Sequence, residues 1–508
     1  MDKLVSFKSV NLTLVSMGIC MICGILFGVI FFRIVGAESF GIYGAVQLLI
    51  SFYLLLEFSV GPFLVRELSS GSKKKSRTRK DYIFFGLSVG ISVAIFASVL
   101  FYGTAIFMFS FFSPEKSTEI QPLVLSSSWL LLAIMAQLII SSFLNGLQLQ
   151  HIAMTFNAIT WCLRIALGFL FIDQVNPKIE TLIHTHVVSV VAVIVLQMVY
   201  LKLKFNTKFS ITDIKIVASA FLSILHDYLN FTRNFYAATL LGFFYSSFDK
   251  IIFLRLMGSY EFGCYTLAKN ISTGLGSLIQ AVVSHAYPAL SSKVGRDKEL
   301  LGVIFIYQAI LLIIVAPISV LILAAPEYLM NYYSGDEESG FVVSKYLVFL
   351  MFGVFFSAIA AITSTLLVAS GNEKFYLWTN FLMLCVLACV FGFGELIGLS
   401  NEPNQSYFII ILLVVFAVSP LMHVALSLVA ENRKLIPKSF KTITAPLWSI
   451  PFFFLLFAFF SKSVVGGSDL LRLIGVFSLV LIICGFSIWH LRTFINGENL
   501  SFKKSSKN

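Results

Sequence analysis

The chain has 508 residues, of which 58% are hydrophobic and only 12% charged, and its mean hydropathy is +0.92. Soluble domains carry about 25% charged residues, so no water-soluble core can hide this much apolar surface, and a bilayer must act as the solvent. The net charge of +11 does not point to nucleic acid, because the basic residues cluster in short loops between apolar runs, beside anionic lipid headgroups.

A helix needs roughly 20 apolar residues to cross the hydrocarbon. Fourteen runs meet that requirement: 10–32, 40–65, 82–112, 122–146, 152–172, 182–203, 230–255, 262–290, 301–324, 343–369, 376–398, 407–430, 444–462 and 470–493. The first follows Lys3 and Lys8 but is too long for a signal-peptide core, and it reads as a retained span. The third is long enough to tilt or to extend beyond the membrane. An amphipathic stretch from Asp213 to Asn230 precedes the seventh; it either lies on the cytosolic surface or extends the helix. All seven cysteines (Cys20, Cys23, Cys162, Cys264, Cys385, Cys389 and Cys484) fall in these runs and read as small packing residues. Cys20-Met-Ile-Cys23 lacks the soluble context that a redox or zinc motif needs.

Orientation follows from the loops. The loop after span two reads "RELSSGSKKKSRTRKD". The loops after spans six, eight and twelve hold Lys202, Lys204, Lys208 and Lys215; Lys293, Arg296 and Lys298; and Arg433, Lys434, Lys438 and Lys441. The tail adds Lys503, Lys504 and Lys507. The alternate loops carry Lys116, Lys178 and, over 325–342, no basic residue. Both termini are therefore expected in the cytosol.

One phrase occurs twice. "RIVGAESFGIYG" begins at Arg33 and "RLMGSYEFGCYT" at Arg255, 222 residues later, with Gly36/Gly258, Phe40/Phe262, Gly41/Gly263 and Tyr43/Tyr265 in register. Each copy closes the first span of its half on the extracytosolic side and begins the next. The glycines suit a tight turn and close helix approach, and the aromatic residues suit the membrane interface. Pro62 and Pro288, expected to end spans two and eight, recur at a similar offset, as do Gly146 and Gly371. Six spans separate the copies, so the repeats are parallel. The expected fold is all-α and polytopic, with about fourteen spans: a six-helix lobe over 1–212, a second over 213–430, and two further helices with a basic tail over 431–508.

With this layout, "RIVGAESFGIY", "EFSVGPFLVRE", "SSFDKIIFLRLMGSYEFGCY" and "LVASGNEKFYLWTN" resemble the polysaccharide-transporter branch of the MOP flippase superfamily. The resemblance covers roughly residues 1–430. It implies two lobes around a central cavity, alternating access, and a cargo of undecaprenyl-pyrophosphate-linked oligosaccharide for O-antigen, capsule or related surface glycans. It also implies the bacterial cytoplasmic (inner) membrane as location, with membrane lipids, a glycan polymerase and a chain-length regulator as partners. Fourteen spans are typical of the lipid II flippase branch, but that branch's arginine-rich N-terminal motif has no match here, which disfavours peptidoglycan precursor.

Such a cargo needs cations for its pyrophosphate and hydroxyls or amides for its sugars; no bond changes, so no nucleophile, metal or cofactor is required. Span eight offers the best wall. From Lys269, the residues Ser272, Thr273, Gly276, Ser277, Gln280 and Ser284 trace one helical face. That face is either a cleft with Lys269 as a point charge for phosphate, or a packing seam with Lys269 snorkelling to the interface. Span five offers Asn157, Thr160, Arg164 and Gly168; Arg164 either grips pyrophosphate or pairs internally with an acid such as Glu57. Glu57 in turn reads as a coupling carboxylate or as that structural partner. Arg233 on span seven is a further candidate for substrate binding, and Asp249–Lys250 is a candidate gate or interlobe ion pair. Arg33 and Arg255 sit near the outer interface, as anchors or as a mouth. His184, His186, His285 and His423, four of the seven histidines, show no metal-binding spacing.

Two other functions compete. A multidrug or cation antiporter would favour carboxylates in the cavity, whereas the intramembrane charges lean cationic (Arg164, Arg233, Lys250 and Lys269 against Glu57 and Asp249). A glycan polymerase would need a large extracytosolic loop, and the longest, about 325–342, is short and acidic. No nucleotide-binding P-loop is present, which disfavours ATP-driven export by this chain alone; the chain reads as a transporter rather than an enzyme.

Overall fold

The computed structural model describes residues 7–369, apart from breaks at 58–59, 70–78, 113–116, 148, 173–178, 206–210 and 294–296, and scattered residues as far as Cys389. Expected spans eleven to fourteen, Gly371, most of "LVASGNEKFYLWTN" and the last basic loops lie outside the described residues. Within them all regular structure is helical: α1 (Phe7–Leu54), a 3₁₀ turn (Leu55–Glu57), α2 (Val60–Ser69), α3 (Arg79–Phe112), α4 (Ser117–Gly146), α5 (Gln150–Phe171), α6 (Ile179–Phe205), α7 (Ile211–Leu256), α8 (Ser259–Lys293), α9 (Asp297–Ala324), α10 (Pro326–Ser334) and α11 (Glu337–Ala369). The amphipathic stretch before span seven extends the helix rather than lying on the surface as a separate element.

Segments of α1 and α3 to α6 are long and apolar enough to cross a bilayer. Their outward faces are apolar too. On α3, Ile91, Ile95, Phe96, Val99 and Leu100 are exposed, and on α6, Val188, Val191, Val195, Met198 and Val199. Each set repeats at helical spacing, and no soluble protein presents stripes of that kind to water. The chain is a polytopic membrane protein.

Two compact units form, Met1–Gly263 and Cys264–Asn508. In the first, α2 packs on α3, α4 and α7, while α1 packs on α5. A buried cluster of Val60, Phe63, Leu64 and Leu68 on α2, Tyr82 and Phe85 on α3, Ile139 and Phe143 on α4, and Ile224 and Tyr228 on α7 anchors it. In the second, Ile279, Val282, Ala286 and Leu290 of α8 cluster with Leu300, Ile304, Leu311 and Val315 of α9 and Ala358, Ile362 and Leu366 of α11.

Span two departs from expectation. It breaks at the 3₁₀ turn and resumes as α2, so Pro62 lies in the first turn of a new helix rather than at the end of a span. There its missing N–H is harmless, because N–H groups of a first turn have no partner within the helix. Glu57 serves the same break: its Oε1 accepts the Gly61 N–H at 3.0 Å. Likewise α8 runs through Pro288 to Lys293.

The two copies of the repeated phrase touch. A Cβ added at Gly41 would strike the Ser259 carbonyl, and one added at Gly263 would strike the Ala37 carbonyl. Ala37 and Ser259 are themselves equivalent positions, as are Gly41 and Gly263, so the contact is reciprocal. Each side is a small-xxx-small pair, the device by which membrane helices approach backbone to backbone. The Ser259 hydroxyl also donates to Glu38 Oε1 at 3.2 Å. The turns before the clasp differ. Gly36 has φ +81°, which favours glycine, whereas Gly258 stays out of the positive-φ region. The aromatic residues also depart from expectation: Phe40, Tyr43, Phe262 and Tyr265 are all at most 3% exposed. They are core residues rather than interfacial ones, because the phrase is a packing motif.

The loop over 325–342 is ordered. α10 ends at Gly335 in the left-handed conformation, and Asp336 then caps α11 by accepting the N–H groups of Glu338 and Ser339 at 3.0 Å each. The Ser339 hydroxyl and backbone N–H, with the Glu338 N–H, hold the Asp336 carboxyl below its ordinary value.

Gly41→Val and Gly263→Val should each destabilise the protein by about 1–3 kcal/mol, the usual range for overpacking, read as a lower thermal midpoint in detergent. Because its carboxyl value is depressed by folding, the Asp336 cap stabilises above the ordinary aspartate range and is lost as pH falls through the folded value. Amide exchange over 337–341, corrected for intrinsic rates, should therefore rise at acidic pH in the wild type and lose that dependence in Asp336→Asn.

Candidate functional site

Beyond Ala268, α8 has two faces. Ile271, Leu275, Ile279, Val282, Ala286 and Leu290 are buried at spacings of three and four. The opposite side exposes Thr273 and Gln280 and leaves Lys269, Asn270, Gly276 and Ser277 half-buried. Ser272, expected on the polar face, is 3% exposed and donates its hydroxyl to the Lys269 carbonyl at 2.9 Å. Thr273 Oγ1 donates to the same carbonyl at 2.9 Å, and Ser277 Oγ to the Gly274 carbonyl at 2.6 Å. Such back-bonding occupies the hydroxyl proton and leaves the oxygen free to accept. Ser284 falls where side chains are not described. Lys269, Thr273 and Gln280 thus form a ladder of one cation, one hydroxyl and one amide along a single helix, suited to an anionic, hydroxyl-rich ligand.

The span-five residues separate. Thr160, Arg164 and Gly168 face inward, while Asn157 is exposed. Thr160 Oγ1 accepts Gln137 Nε2 at 2.9 Å from α4. Arg164 is 3% exposed and stands in an aromatic box: its guanidinium lies 3.7 Å from the Phe27 ring centre, 4.9 Å from that of Trp161 and 5.9 Å from that of Tyr43. Its Nη2 donates to the Tyr43 hydroxyl. Among the described residues no carboxylate joins it. The alternative pair with Glu57 does not form, since Glu57 Oε1 accepts the Gly61 N–H instead. Cation–π contacts contribute on the order of 0.5–2 kcal/mol each when desolvated, so the box offsets part of the cost of burying the charge. Tyr43 escaped the sequence reading as a partner of Arg164; its signal was its place in the repeated phrase, beside the deepest cation in span five.

Asp249, on α7, is 6% exposed, and its Oδ1 accepts the Lys250 N–H at 2.9 Å. Arg33 is exposed near the Gly36 turn. Arg233 and Arg255 lie on α7 at positions whose side chains are not described. The structure therefore groups Lys269, Thr273 and Gln280 on one face, places Arg164 inside a helix bundle, and puts Glu57 at a helix break. Among the described residues no group of three His, Cys, Asp or Glu could hold a metal ion.

The comparisons with known proteins agree with this architecture. The family described as "Polysaccharide biosynthesis protein" matches residues 6–294, and the MatE family matches residues 236–393. No curated protein matches the chain. Among solved structures, "Lipid II flippase MurJ, inward closed conformation" superposes with a TM-score of 0.69 at 16% identity, over 96% of this chain and 100% of that one. A eukaryotic MATE transporter, AtDTX14, superposes with a TM-score of 0.59 at 13% identity, over 83% of this chain and 95% of that one. A MATE in complex with MaL6 reaches 0.55 at 13% identity, over 83% of this chain and 97% of that one. At such identities the superpositions show the fold, which is that of the MOP transporters. The family match spans more than half of the chain: the protein belongs to the polysaccharide biosynthesis protein family, in the polysaccharide-transporter branch of the MOP superfamily.

Proposed function

We propose that the chain is a flippase that moves an undecaprenyl-pyrophosphate-linked oligosaccharide across the bacterial cytoplasmic membrane by alternating access, with both termini in the cytosol, for O-antigen or capsule assembly. The observation that carries this reading is the divided surface of α8. A helix within a membrane bundle that leaves Thr273 and Gln280 exposed and Lys269 half-buried cannot turn that side to hydrocarbon without a large penalty; a water-filled path removes it. Lys269 then attracts the pyrophosphate as a point charge, and Thr273 and Gln280 bond to sugar hydroxyls. The reciprocal contact of Ala37 and Gly41 with Ser259 and Gly263 suits an outer closure, because a contact made of backbone and small residues leaves few side chains to rearrange as it parts. Arg164 takes a different part in this proposal: it fastens α5 to the Tyr43 end of the phrase.

The MatE match over 236–393, which includes α8, favours a second reading, a multidrug or cation antiporter. Lys269, half-buried on the polar side of α8, argues for an anionic cargo instead.

Deleting the gene should cause a lipid-linked glycan to accumulate in the cytosolic leaflet, identified by mass spectrometry of extracted lipids. Drug sensitivity that rises with no such intermediate would instead establish the antiporter. Lys269→Ala should lower glycan translocation in reconstituted vesicles at least about tenfold, the effect of roughly 1.4 kcal/mol, at an unchanged thermal midpoint. Arg164→Gln should do the reverse in kind: it lowers the midpoint, since a hydrogen bond from a charged group is worth about 1.5–3 kcal/mol.

A further inference from the structure

Three thiols that the sequence scatters come together on one side of the first unit. Cys23 on α1 and Cys162 on α5 are 139 residues apart, and their Sγ atoms lie 3.7 Å from one another. Cys20, one turn earlier on α1, is within electrostatic reach of both. The meeting is a property of the whole seam rather than of one rotamer. Ser16 and Thr155, also 139 apart, hydrogen-bond at 3.2 Å two turns away on the same pair of helices. Trp161 lies against Gly24, where an added Cβ would be 3.9 Å from the indole, and Phe27 stacks on Arg164 one turn further. α1 and α5 therefore run in parallel with a fixed heptad register, and Cys23–Cys162 is one rung of it.

The rung faces outward. Cys162 is exposed, and Cys20 and Cys23 are half-buried. In a membrane-spanning pair the exposed side meets lipid, so the reagents that reach these thiols are lipid-soluble ones. Metal ligation does not suit them, since no group of three ligating residues among those described is arranged to hold a metal ion. A disulfide does: the S–S bond is about 2.05 Å, so the two sulfurs need to approach by only roughly 1.7 Å.

We propose that Cys23 and Cys162 are an oxidative modification site, at which a lipid-soluble quinone joins α1 to α5 by a disulfide. The two S–H bonds break and one S–S bond forms. The two thiols lose two electrons and two protons, and the quinone takes up both, becoming a hydroquinone. A thiol reductant reverses the step by exchange. The seam is otherwise held without covalent bonds, by contacts that include the Ser16–Thr155 pair, Phe27 against Trp161, Phe31 against Phe169 and the arginine box, so a covalent rung fixes the first half of α1, the segment that leads to Gly36 and the clasp beyond it.

The test uses the full chain reconstituted in liposomes, treated with a fully ring-substituted benzoquinone, which accepts electrons but has no unsubstituted ring position to which a thiol can add, and mapped by non-reducing mass spectrometry. A peptide linking Cys23 to Cys162 should appear, minus two hydrogens, and vanish on reduction. It should be absent in Cys23→Ser and in Cys162→Ser, and retained in Cys20→Ser. Ferricyanide, which does not enter the hydrocarbon, should leave the pair reduced. The oxidised wild type should also melt at a higher temperature than quinone-treated Cys162→Ser. Thiols that remain fully alkylatable after quinone treatment would overturn the proposal, as would a predominant Cys20–Cys162 link or equal oxidation by ferricyanide. None of these readouts depends on the identity of the transported cargo.

Discussion

Apolar side chains gain nothing by leaving lipid for one another, so helices in a bilayer are held by close packing and by polar groups that find partners. The described part of this protein depends on that constraint. Its tightest approaches occur where a side chain is missing. Gly41 and Gly263 let two backbones meet, and at Gly146 an added Cβ would stand 2.8 Å from the Leu68 Cβ. Polar partners bridge other helix pairs: Gln137 with Thr160, Ser126 with His184, Ser141 with Gln197, and Arg164 with Tyr43. In hydrocarbon each of these groups would otherwise go unsatisfied.

The same constraint gives two intramembrane cations different surroundings. Arg164 and Lys269 look alike in the sequence, each a cation deep in an apolar run. Arg164 is enclosed by Phe27, Trp161 and Tyr43 and is nearly inaccessible. Lys269 stands on a face that the apolar core of α8 does not cover. A charge can be tolerated in a membrane by aromatic and hydrogen-bonding enclosure, and Arg164 shows that solution. Glu57 shows another use, in which a carboxylate completes a broken helix end.

Hydropathy alone identified the chain as a helical membrane protein, and spans one to ten fall on helices, with span two split between α1 and α2. The repeated phrase was also plain in the sequence, because two copies at one offset are visible without any structure. What the phrase does was not visible. Its aromatic residues suit an interface when judged by type, yet they are core residues, because the clasp between Ala37–Gly41 and Ser259–Gly263 draws the adjoining turns inward. The break in span two was hidden as well, since Pro62 reads equally as the end of one helix or the start of another until the 3₁₀ turn and the Glu57 cap are seen.

By itself, then, the sequence determined the solvent, the helical class, the duplication and the family resemblance, because each depends on composition or spacing along one strand of text. Only the tertiary structure decided which polar residues face inward. Helical spacing gave Ser272 and Thr273 to one face, and packing buried one and exposed the other. Contacts between residues 121 and 139 positions apart, such as Tyr43–Arg164 and Cys23–Cys162, are set by the register between helices. No periodicity within a single helix encodes that register; it arises where two surfaces fit.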